Sequence, residues 1–164
     1  MDTTDRSIAR AVAPVPLPVR ILRRLRPAVA WLLTSPLHRL LSRDILLLVY
    51  RGRTTGRVHE LPLSYVEHGG RLYLCTRDSR WWRNLRDGTP VALHLRGRRI
   101  AATPCVLAPD SREALDGLRA FLTRNPGTGA MLYNVQSDAA RRPLEADLER
   151  EVRHSVVVRL QAAE

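Results

Sequence analysis

Between Asp44 and Leu107 the chain is cut into short apolar runs by glycine-bearing turns, and this rhythm constrains the fold more than any other feature. Ile45–Tyr50 is a continuous apolar run, the pattern of a strand buried on both faces. Arg51–Gly56 supplies a turn with two glycines. Val58–Glu67 alternates imperfectly and carries Pro62, which has no ladder donor and so marks an edge or a bulge. His68-Gly69-Gly70 turns the chain into Arg71–Thr76. Asp78–Arg86 breaks the strand pattern as a short helix ended by Gly88. Pro90–Leu95 and Arg98–Leu107 are two further strands joined at Arg96-Gly97. Five strands with tight turns and one short helix predict a small antiparallel barrel.

The flanks complete an α+β chain. Asp110–Arg124 reads as a helix capped by Asp110 or Ser111, with Leu115, Leu118, Phe121 and Leu122 on its buried face. Asn125–Gly129 is a loop, Met131–Ser137 matches neither period, and Pro143–Val152 is a polar helix. Ser155–Leu160 is a last β-branched strand placed to close the barrel. Upstream, Pro14, Pro16 and Pro18 give an extended lead-in, and Val19–Arg43 has a helical pattern interrupted at Pro27 and Pro36. Residues 1–43 therefore form a basic arm with an amphipathic helix, and residues 44–164 one barrel domain.

Charge narrows the partners. The formal net charge is +11, and all 27 basic residues are arginine. Such a chain calls for an anionic partner, and arginine forks bind phosphate and carboxylate bidentately. A catalytic lysine is excluded. Eight arginines and no acid lie between Arg6 and Arg43. There the apolar face of Leu22, Leu25, Val29, Leu32 and Leu33, with Trp31 at its edge, suits either the protein's own body or an anionic membrane surface. No apolar run is long enough to span a bilayer, and none has the form of a signal peptide. Cys75 and Cys105, and the five histidines, lack metal-ligand spacing. The cysteines read as reduced core residues.

Two segments concentrate the chemistry. Gly52-Arg53-Thr54-Thr55-Gly56-Arg57 offers turn amides, hydroxyls and arginines, a set that suits a phosphate or makes a solvated basic hairpin; it lacks the spacing of a Walker loop. In Thr76-Arg77-Asp78-Ser79-Arg80-Trp81-Trp82-Arg83-Asn84-Leu85, the adjacent tryptophans point about 100° apart on a helix. One can enter the core while the other lines a cleft for a flat anionic ligand, or both can be core. Single-stranded nucleic acid would suit the same mixture. No nucleophile–base pair stands out. A site rich in phosphate binders and poor in acid/base groups points to a cofactor that carries the chemistry.

The order of an apolar strand, Gly52-Arg53-x-x-Gly56-Arg57, Leu61-Pro62-Leu63-Ser64-Tyr65, a hairpin, Trp81-Trp82-Arg83-Asn84-Leu85 and a valine-bearing strand resembles the deazaflavin-dependent nitroreductase and quinone reductase family of actinobacteria. The resemblance covers roughly Ile45 to Leu107, with a looser match at Ser155–Leu160. It implies a mostly antiparallel split β-barrel of about six strands, related to the pyridoxamine-phosphate-oxidase-like flavin proteins. It implies coenzyme F-420, an 8-hydroxy-5-deazaflavin with a phospholactyl-oligoglutamate tail, with FMN or FAD as alternatives. It also implies a homodimer, and hydride transfer to a quinone, nitroaromatic or other conjugated acceptor. By this resemblance Gly52, Arg53, Thr54, Thr55, Gly56 and Arg57 meet the anionic tail, and Pro62, Leu63 and Tyr65 lie along the ring. Thr76 and Arg77 bind phosphate, while Trp81, Trp82, Asn84 and Leu85 lie beneath the cofactor. Tyr133 donates a hydrogen bond to the acceptor. The family's longer glycine-containing loop before the tryptophan is replaced here by Asp78-Ser79-Arg80. A non-catalytic flavin, haem or lipid carrier is the competing reading, with an arginine-rich nucleic-acid binder behind it. The expected location is the cytoplasm, at the inner face of the membrane.

Overall fold

The computed structural model describes residues 44–85 and 89–162. The expected arm and helix over residues 1–43, and the helix stop at Gly88, lie outside the described residues. Seven strands form one antiparallel sheet: β1 (Ile45–Arg51), β2 (Val58–Ser64), β3 (Val66–His68), β4 (Arg71–Thr76), β5 (Val91–Leu95), β6 (Arg98–Val106) and β7 (Val156–Ala162). Their order is β2-β1-β5-β6-β7-β4-β3. A short 3₁₀ helix, Trp81–Leu85, precedes β5. Helices α1 (Arg112–Arg124) and α2 (Glu145–Glu151) lie between β6 and β7, with a π-helical turn at Gly129–Tyr133. The architecture is an α+β split barrel.

The two edge strands of this sheet are neighbours in sequence. β2 pairs with β1 at one edge, β3 pairs with β4 at the other, and only Tyr65 separates them. Both edges can be reached through one residue only if the sheet curls round to meet itself. The single strand expected over Val58–Glu67 is thus split in two, which turns six strands into seven. Pro62 sits on an edge strand, where its missing N–H breaks no ladder.

The curled sheet has a different core on each face. Leu46, Leu48, Leu61, Leu74, Leu93, Val158 and Leu160 fill its inside, with Trp81 and Leu85 of the 3₁₀ helix. On the outside of β3, β4 and β7, Val66, Tyr73 and Val157 pack against Leu118, Phe121 and Leu122 of α1 and Leu148 of α2. Leu46, Leu47 and Leu48 are all buried, which explains the unbroken apolar run of β1. The cap of α1 is Ser111, whose hydroxyl accepts from the Ala114 amide at 3.1 Å. Such a cap contributes about 1 kcal/mol, and each buried Leu or Phe about 1.5–3 kcal/mol. Docking of the apolar face therefore dominates the helix's stability. Glu113, on the first turn of α1, ties it to the sheet by accepting from Arg71, from the Tyr73 hydroxyl and twice from Arg159.

Cys75 and Cys105 are both free, as expected of reduced residues, and burial pushes the Cys75 thiol far up. Among the described residues no three His, Cys, Asp or Glu side chains gather as a metal site, and no helix is long and apolar enough to cross a membrane.

Candidate cofactor site

Antiparallel pairing brings the two motif segments together. β1, β4 and β6 end, and β2, β5 and β7 begin, at the same end of the barrel. The turn between β1 and β2 and the 3₁₀ helix before β5 therefore share that end. Their contact is direct: the Arg53 amide donates to Asn84 Oδ1 at 3.0 Å, and Asn84 Nδ2 donates to the Trp81 carbonyl at 3.0 Å.

The turn's amides hold its own shape. Gly52 N–H donates to the Arg57 carbonyl, Gly56 N–H to the Gly52 carbonyl, and Arg57 N–H to Thr55 Oγ1. Arg51 Nη1 donates to the Gly56 carbonyl at 2.9 Å. Gly56 has φ +65°, which favours glycine. A Cβ on Gly52 would lie 2.9 Å from His59 Nε2 and 3.0 Å from Thr55 Oγ1, and the His59 ring is stacked on Tyr50 at 5.3 Å. The amides of Gly52, Arg53, Gly56 and Arg57 are thus already bonded, so the expected cradle of turn amides is largely spent internally. The side chains of Arg53, Thr54, Thr55 and Arg57 are exposed.

The tryptophans divide. Trp81 is 7% exposed and belongs to the inner core with Leu85, while Trp82 is half-buried, with the Arg83 guanidinium carbon 5.6 Å from its ring centre. Thr76 closes β4 and is buried; Arg77 follows it, exposed. Arg77 Nη1 donates to the Leu132 carbonyl at 3.5 Å, and Arg77 Nε lies 3.6 Å from Glu151 Oε1. Pro62 is buried on the outer side opposite Leu47, and Leu63 faces inward opposite Leu46.

Tyr65 sits apart from this group, and Tyr133 lies beside Arg77 but is buried. Tyr65 follows β2 at the opposite end of the barrel, roughly 20 Å along the strand from the turn. It is 3% exposed, burial raises its hydroxyl pKa, and Arg96 opposes that rise. Tyr133 is 4% exposed and packs edge-on against Phe121 in the outer core, on the other side of the sheet from Trp81. Burial drives its pKa far up. A phenol enclosed this way does not face a ligand entering from solvent; the exposed residues of that turn are Ala130, Met131 and Leu132. What the sequence reading missed is Glu151, a carboxylate buried beside Arg77, which nothing in the polar pattern of α2 singles out. A separate groove of 440 Å³ between α1 and α2 is lined by none of the expected site residues.

Residues 32–144 match the family described as F-420H(2)-dependent quinone reductase. The chain belongs to that family. Among solved structures, a domain-swapped dimer aligns over 88% of this chain and 100% of its own, at 16% identity and a TM-score of 0.54. A conserved hypothetical protein from Mycobacterium tuberculosis aligns over 85% of this chain and 80% of its own, at 15% identity and a TM-score of 0.50. Both likenesses are of fold. No curated protein sequence matches the chain.

The family name implies reduced F-420, and the donor set fits such a group. Segments 51–57 and 76–85 hold Arg51, Arg53, Arg57, Arg77, Arg80 and Arg83 against a single carboxylate, Asp78. That excess of guanidinium beside one half-exposed indole matches a flat ring with a polyanionic tail.

Proposed function

We propose that this end of the barrel binds reduced coenzyme F-420 and that the chain directs its hydride to a quinone, nitroaromatic or other conjugated acceptor. The observation that carries the reading is the Arg53–Asn84 hydrogen bond, which makes one surface of the arginine-rich turn and the tryptophan helix. Arg53, Arg57 and Arg77 pair with the phosphate and carboxylates of the tail, with Thr54 and Thr55 as hydroxyl donors. The exposed part of Trp82 gives the ring a flat apolar wall, and Trp81 and Leu85 anchor that wall from inside. The deazaflavin, when bound, supplies the hydride; the protein holds it in register with the acceptor and limits access of water.

The protein works as a homodimer, in keeping with the split-barrel architecture. Residues 44–164 form the cofactor domain, and the arginine-rich residues 6–43 hold it at the anionic inner face of the membrane, where a lipid-soluble quinone is at hand. The test is calorimetric titration with F-420 and with FMN, followed by quinone-dependent loss of reduced F-420. Binding of F-420 in preference to FMN, with turnover, is the expected result. FMN bound and F-420 ignored would end the assignment.

A further inference from the structure

We propose that Glu151 is a positioning residue for Arg77, presetting its guanidinium for the cofactor's anion from beneath the site. The proposal rests on the reading that Arg77 binds that anion. Glu151 closes α2 and is 3% exposed, an unusual place for a carboxylate. Its Oε1 accepts from the buried Ser155 hydroxyl at 2.9 Å and lies 3.6 Å from Arg77 Nε. A carboxylate taken out of water is costly unless it is hydrogen-bonded and paired. Among the described residues its ion pair is with Arg77.

Arg77 is thereby held from two sides. Nε faces Glu151, and Nη1 donates to the Leu132 carbonyl of the π-helical turn. Arginine carries five N–H donors in a rigid fork, so the remaining Nη hydrogens are left for a ligand. The side chain keeps 38% of its surface exposed, enough to be reached from solvent. A long side chain pinned at its inner edge loses less conformational freedom when an anion arrives.

The test is a double-mutant cycle on F-420 affinity, measured on the full chain with thermal unfolding alongside. Glu151→Gln should weaken F-420 binding roughly three- to tenfold, the usual scale of coupling between contacting residues. In the Arg77→Ala background the same substitution should change affinity little. Glu151→Asp should restore part of the loss. Ser155→Ala keeps the carboxylate but loosens it, and reads the same coupling if Glu151→Gln does not fold. An equal loss from Glu151→Gln or Ser155→Ala with and without Arg77 would overturn the proposal and leave Glu151 as a packing residue. If instead Arg77→Ala binds F-420 like the wild type, the failure belongs to the placement of the anion at Arg77, and the proposal falls with it.

Discussion

The backbone amide of Arg53 and the side-chain oxygen of Asn84 are 3.0 Å apart although 31 residues separate them in sequence. This bond joins the chain's arginine-rich turn to its tryptophan helix. Asn84→Ala removes it together with the bond to the Trp81 carbonyl. At about 0.5–1.5 kcal/mol per hydrogen bond, the variant should lose about 1–3 kcal/mol of stability in urea unfolding. It should also bind F-420 more weakly. Asn84→Asp keeps an acceptor for Arg53 but loses the donor to the Trp81 carbonyl and puts a negative charge beside the arginines, so both stability and affinity should fall. Wild-type affinity in both variants would show that the joint does not shape the site.

Arg53→Ala and Arg77→Ala should each weaken F-420 binding by about 1.5–3 kcal/mol, the scale of a hydrogen bond to a charged group. The Arg53 guanidinium belongs to no apolar core, so the thermal midpoint of Arg53→Ala should move little, whereas Arg77→Ala takes the ion-pair partner from buried Glu151 and should lower the midpoint. Titration at several salt concentrations adds a check, since a lost ion pair also flattens the salt dependence. Two variants that bind like the wild type would place the tail elsewhere.

The strands were legible because glycine turns punctuate them and each core face needs apolar residues at a fixed period. Val58–Glu67 misled because closure of the barrel, a tertiary event, interrupts it at Tyr65. Gly129–Tyr133 had no readable pattern, since a single π-helical turn is too short to show a period. The two basic segments were found from their chemistry, but not the use of the turn's amides within itself, which depends on backbone geometry. Tyr133 comes from the resemblance alone, and an aromatic in an irregular stretch carries no burial signal. Phe121, on the buried face of α1, is what encloses it.

Gly117 lies on the face of α1 that meets β4. A Cβ there would stand 2.7 Å from Tyr73 Cδ1 and 3.2 Å from Val157 Cγ1. Tyr73 has little room to yield, being buried and hydrogen-bonded to Glu113. Alanine normally gains about 1 kcal/mol over glycine inside a helix. Overpacking costs about 1–3 kcal/mol. Gly117→Ala should therefore destabilise the protein by up to about 2 kcal/mol in urea unfolding, and an increase in stability would show that α1 shifts freely on the sheet.

Membrane association is testable on the arginine-rich arm itself. Each arginine near an anionic headgroup layer contributes about 1 kcal/mol. Changing Arg20, Arg23, Arg24 and Arg26 to Gln should release the protein from anionic vesicles in co-sedimentation at physiological salt. Neutral vesicles should retain neither protein. Equal sedimentation of both proteins, or none by either, would count against a membrane role.

Glu113 makes the stability of α1 on the sheet depend on pH. Burial disfavours its charged form, but hydrogen bonds from Arg159 and Tyr73 and the charges of Arg159 and Arg71 outweigh that, holding the carboxyl below its ordinary value of 4.5. The unfolded chain therefore takes up this proton at higher pH than the folded one. The stabilisation is fully present above the unfolded value and is lost as pH falls through the folded one. Glu113→Gln removes the charge at every pH. The wild type should be the more stable protein at neutral pH, and the gap should close on acidification below about pH 4.5, once its own Glu113 is protonated in both states. The other carboxylates with lowered pKa values, Asp138, Glu145 and Asp147, are common to both proteins and cancel in the difference. Urea unfolding midpoints of the two proteins across the acid range measure it directly. A gap that stays constant with pH would mean that Glu113 acts through its shape and packing, and that its charge does not hold α1 to the sheet.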